Sequence, residues 1–66
     1  MREVITPGEA AEERRLWADY YEAIARVLEI MRAEGTGAAA LPRIVEEDAK
    51  GAAAMKRIKE IRGIGT

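Results

Sequence analysis

Within residues 7–34, large apolar side chains recur from Leu16 to Met31 at the spacing of one broad helix face. Counting about 100° per residue from Ile24, the side chains of Leu16, Trp17, Tyr20, Tyr21, Val27, Leu28 and Met31 all fall within about 80° of it. The opposite face is polar and consists of Arg15, Asp19, Glu22, Arg26 and Glu29, with Glu22 and Arg26 ordered for a favourable i,i+4 pair. The start of this helix is marked by Thr6-Pro7-Gly8-Glu9, which places threonine at the N-cap, proline at the first helical position and glutamate at the third, a capping box. Glu9, Glu12 and Glu13 then sit where the helix dipole favours negative charge, and Gly35 is placed to end the helix as a left-handed cap. An apolar arc of nearly half the cylinder is wider than the seam of a two-helix contact. The helix is therefore expected to touch at least two neighbours.

Gly35-Thr36-Gly37 predicts a turn, and Pro42, which lacks an amide hydrogen and pushes Leu41 towards an extended conformation, restarts a helix that runs to about Arg62. Glu46, Glu47 and Asp48 lie near its start, basic residues near its end, and Gly63 after it, with Ile64 placed to fold back on Ile58. Its stripe reads Ile44, Asp48, Gly51, Met55, Ile58, Arg62, so two charges and a glycine interrupt the seam. A mid-helix glycine costs about 1 kcal/mol relative to alanine, which points to close approach of the two helices around Gly51-Ala52-Ala53-Ala54. With an antiparallel turn, Tyr20, Tyr21 and Ile24 are expected to fill the space beside it. The alternative is a break at Gly51 that makes three helices of two.

These elements predict an all-α antiparallel hairpin, helix 7–34 and helix 42–62, in a single small domain over 1–66 with flexible tails at 1–5 and 63–66, completed as a four-helix bundle by dimerisation. Length supports the last step. A chain of 66 residues buries only about 60% of its unfolded surface, and with no cysteine or histidine for a disulfide or a structural zinc, oligomerisation is the remaining common source of stability. The expected interface residues are Leu16, Trp17, Tyr20, Tyr21, Ile24, Val27, Leu28 and Met31 on the first helix, with Met55 and Ile58 on the second. Trp17, Tyr20 and Tyr21 lie among aliphatic residues at helical spacing and read as core or interface, with Tyr21 at the edge keeping its hydroxyl in water.

Composition removes most chemistry. Ser, Asn, Gln, His, Cys and Phe are all absent, which takes away the usual nucleophiles, the commonest general base and the amide side chains that read bases. No catalytic, metal or cofactor-binding residue is expected. The acidic neighbours Glu12-Glu13 and Glu46-Glu47-Asp48 point about 100° apart, so no consecutive pair is placed to share one ion. Asp48 points along the seam, either exposed near the helix start or paired with an arginine across an interface. No apolar N-terminal core and no membrane span is visible, and the expected location is cytoplasmic.

Charge is uneven, since residues 1–34 hold five basic against eight acidic side chains and 35–66 hold six against four, within a net −1. Lys50, Lys56, Arg57, Lys59 and Arg62 are accordingly the candidates for phosphate contact, set against the simpler role of complementing the negative pole of their own helix. Ile61-Arg62-Gly63-Ile64-Gly65 resembles the first half of a helix-hairpin-helix motif, which implies backbone amides presented to a DNA phosphate; that motif's second helix is missing. The expected function is a non-enzymatic protein-binding module, structural, adaptor or regulatory, that associates with itself or with another protein. A dimeric nucleic-acid-binding regulator is the alternative, and a small subunit or inhibitor docking on a larger complex is a third.

Overall fold

The computed structural model describes residues 4–63, which form two helices, α1 (Pro7–Glu34) and α2 (Leu41–Arg62), packed antiparallel as a hairpin. The α1 bounds are those the sequence predicts, and the capping box is complete. The Thr6 hydroxyl accepts from the Glu9 amide at 3.1 Å, and the Thr6 amide donates to Glu9 Oε1 at 3.0 Å. At the other end the Gly35 amide donates to the Met31 carbonyl at 2.8 Å, and its φ of 78° is one that glycine adopts without strain. Its ψ of −164° lies outside the left-handed helical region expected for this cap.

The second helix starts one residue earlier than expected, because Leu41 is helical and not extended. The amides of Ala40 and Leu41 both donate to the Gly37 carbonyl, at 3.0 and 3.2 Å, and Ala40, already helical in conformation, is 1% exposed beneath the turn. Those bonds and that burial outweigh the steric preference of a residue before proline. Pro42 then falls in the first helical turn, where its missing N–H would have had no intrahelical acceptor.

Gly51 does not break α2. A Cβ built there would lie 3.3 Å from Ala23 Cβ and 3.6 Å from Tyr20 Cδ1, so the glycine is the point of closest helix approach. Tyr20 fills the space beside it as expected, whereas Ala23 takes the place expected of Tyr21 and Ile24, which point away. Gly63 ends α2 as a left-handed cap, its amide donating to the Glu60 carbonyl at 3.2 Å. It is therefore a cap and not the first residue of a tail. The expected contact of Ile64 with Ile58 lies outside the described residues, as do most of the two expected tails.

The core of the hairpin is built from Ala23 and Ile30 of α1 and from Ala54, Ile58 and Ile61 of α2. Ile61, at 1% exposure, is the most completely buried large side chain among the described residues, a burial that stabilises by about 1.5–3 kcal/mol. This core lies about a quarter turn round α1 from the centre of the arc that Ile24 marks.

Candidate interaction face

Each helix carries two adjacent apolar seams, and the hairpin uses one of each. On α1 the inner seam is Glu13, Leu16, Tyr20, Ala23, Val27 and Ile30, spaced alternately by three and four residues, and each is buried or half-buried. The matching inner seam of α2 is Ile44, Glu47, Gly51, Ala54, Ile58 and Ile61. One position along α1 runs a second seam with the same alternation: Trp17, Tyr21, Ile24, Leu28 and Met31. Its counterpart on α2 is Leu41, Val45, Asp48, Ala52, Met55 and Lys59. In a helical period near 3.6 the two seams of one helix stand about 100° apart, so both outer seams open onto the same broad face of the hairpin.

That face is strongly apolar and largely uncovered. Tyr21 is 62% exposed, Leu28 60% and Val45 63%, with Ile24, Met31 and Leu41 less so. A groove of about 360 Å³ runs between the helices here, floored by Ala23 and Gly51 and walled by Ile24, Leu28, Ala52 and Met55. At its end the aromatic side chains lock together. Trp17 stacks on Tyr21 at 5.8 Å between ring centroids and meets Tyr20 edge-on at 5.9 Å, an arrangement that restrains all three rings.

Of the residues expected at an interface, then, Tyr20, Leu16, Val27 and Ile58 contribute to the intramolecular contact, Tyr21, Ile24, Leu28 and Met31 remain on the open face, and Met55 is half-buried at the wall of its groove. Trp17 is half-buried between the two sets. Asp48 stands exposed on the open face, with no arginine bridging it among the described residues. Sequence reasoning missed Ala23, Ile30, Ala54 and Ile61. The alternation of three and four through Ile44, Gly51, Ala54, Ile58 and Ile61 was the available signal.

Two ion pairs clamp the far end of the hairpin. Arg57 grips Glu12 through Nε at 2.8 Å and Nη2 at 3.1 Å, and Arg62 grips Glu13 in the same bidentate fashion at 2.5 and 2.6 Å. Consecutive carboxylates that diverge on their own helix are thus each met by a different guanidinium. Hydrogen bonding from Arg62, reinforced by its charge and in smaller part by the Trp17 side chain, holds the Glu13 carboxyl below its ordinary value, although burial acts the other way. Arg57 does the same for Glu12, and both arginines are pushed up in turn.

These pairs engage much of the basic cluster. Arg57 and Arg62 are held by α1, and Lys50 donates to Glu47 at 3.2 Å. Lys56 and Lys59 have no ion-pair partner among the described residues. On the face opposite the open one, Arg26 pairs with Glu22 at 2.6 Å and approaches Glu47 at 3.9 Å, and Arg43 bridges to Glu34 beside the turn. Among the described residues no three Asp or Glu side chains converge as metal ligands would, and no helix is long and apolar enough to cross a membrane. Comparison with protein-family models, curated proteins and solved structures gives no match.

Proposed function

We propose that the protein is a non-enzymatic helical interaction module, structural or regulatory in role, whose hairpin is completed as a four-helix bundle by a second copy seated on the open face. The observation that carries this is the unused second seam. Apolar residues at the spacing of a helix–helix contact, on both helices and facing one way, have the pattern that packs against two further helices. The hairpin's length of 44 Å and width of 22 Å leave room on that face for a second pair of helices. Large apolar side chains left exposed side by side on a small chain mark a site of association.

Catalysis finds little support in these side chains. The carboxylates that come together across the hairpin are bound to arginines, and the groove is walled mainly by aliphatic side chains. Nucleic-acid binding through Lys50, Lys56, Arg57, Lys59 and Arg62 is the weaker alternative, since three of the five are engaged by glutamates and phosphate contact would compete with those bonds.

Light scattering coupled to size-exclusion chromatography tests the proposal. The wild-type chain is expected to run as a dimer at tens of micromolar, and Ile24→Glu with Leu28→Glu to run as a helical monomer, because two carboxylates would be buried in an apolar contact. A wild-type monomer at hundreds of micromolar refutes self-association; a monomer that binds DNA with steep salt dependence supports the alternative.

A further inference from the structure

The outer seams carry two charges that are out of place in an apolar contact, Asp48 and Lys59, and a third charge, Lys56, stands at the seam's edge. Gly51 packs on Tyr20 and Ala23, so Ala52 and Tyr21 stand at about the same height in the hairpin. That height is also close to the midpoints of α1 (Pro7–Glu34) and α2 (Leu41–Arg62). Asp48 lies one turn before Ala52 and Lys56 one turn after it, on the same side of the hairpin.

From this placement, and resting on the self-association proposed above, we infer that the second copy docks inverted, about a two-fold axis that lies in the interface and passes level with Tyr21 and Ala52, pairing Asp48 with the partner's Lys56 twice. A two-fold axis there sets α1 against the partner's α1 and α2 against the partner's α2, each antiparallel and overlapping along its full length. Asp48 and Lys56, equidistant from Ala52, exchange positions under the rotation.

The other symmetric arrangement has its axis parallel to the helices, with both turns at one end, and it fits the charges badly. It brings α1 of one copy against α2 of the other at the heights seen within the hairpin. Lys59, which lies between Arg57 and Arg62 opposite Glu12 and Glu13, would then face the partner's Arg14, like charge against like. Asp48 would be set among the partner's Ile24 and Leu28 with no cation in reach, a buried charge without compensation. Arrangement is thus chosen by repulsion in one geometry and attraction in the other.

Charge exchange tests the inverted geometry separately from dimerisation itself. Asp48→Lys and Lys56→Asp alone are each expected to weaken the homodimer about tenfold or more, because two attractive pairs become two repulsive ones. The double variant D48K/K56D restores the wild-type dissociation constant, and an equimolar mixture of the two single variants forms a heterodimer in preference to either homodimer. Asp48 and Lys56 are about 12 Å apart on one helix, so recovery cannot come from a contact within the chain. Circular dichroism checks that each variant keeps its helix content. A dimeric wild type whose single variants dimerise equally well, or whose double variant fails to recover, overturns the inverted arrangement and leaves self-association standing. A monomeric wild type overturns both.

Discussion

At Gly51, replacing the hydrogen by a methyl group sets two effects against each other. Alanine removes the ~1 kcal/mol propensity cost of a mid-helix glycine, while its Cβ would press on Ala23 at 3.3 Å. Gly51→Ala is therefore expected to change stability by less than about 1 kcal/mol, whereas Gly51→Leu, which must push the helices apart, lowers it by about 1–3 kcal/mol in urea denaturation. Equal tolerance of both would mean that the helices do not meet closely there. Glu13 provides a test by pH. Its folded pKa lies below the ordinary 4.5, chiefly through its hydrogen bonds from Arg62. A depressed carboxyl stabilises the fold above the ordinary value and loses that contribution as pH falls through the folded one. Melting temperature is thus expected to be level from neutrality to about pH 5 and to decline below about pH 4, and Glu13→Gln to flatten the decline. An acid limb as steep in the variant as in the wild type would place that dependence elsewhere.

The two helices are stabilised by different means. α1 is defined locally, by a reciprocal cap at Thr6 and Glu9, and Thr6→Ala is expected to cost about 1 kcal/mol and to fray the first turn, which amide exchange of residues 8–10 would report. α2 has no side-chain cap at its start and a glycine at its middle, so its helicity depends on burying Ile58 and Ile61 against α1. Ile61→Ala should therefore lower stability by about 2–5 kcal/mol, measured as the shift in chemical unfolding midpoint. If Ile61→Ala costs no more than Leu28→Ala at low protein concentration, the inner seam has been placed on the wrong residues.

As a whole molecule, the hairpin is only 12 Å deep in its thinnest dimension, and one face of each helix is open to water. A pair of helices this thin, with no cysteine to cross-link it, gains by adding a second layer. The thermal midpoint of the wild type is accordingly expected to rise with protein concentration, as linkage requires when the folded state associates and the unfolded state does not. Leu28→Ala should reduce this dependence, while Ile61→Ala should lower the midpoint at every concentration. A midpoint constant over a hundredfold range of concentration would mean that the hairpin stands alone.

Much of this architecture was legible in the amino-acid order because its signals are local. Thr6, Pro7 and Glu9 define a helix start within four residues, glycines mark both helix ends, and a continuous apolar arc from Leu16 to Met31 fixes helix between them. The excess width of that arc was legible too. Which part of it faces α2 was not, because a helical wheel weights every large apolar residue alike and so pointed to Ile24, whereas closest packing favours the small Ala23 opposite Gly51 and turns Ile24 outward. The pairing of Glu12 with Arg57 and of Glu13 with Arg62 lay equally beyond reach, since it depends on the height at which the antiparallel helices stand against each other. Sequence determined that the first helix has more apolar surface than one contact uses; only the packing of Ala23 on Gly51 decided which seam lies inside and which stays open.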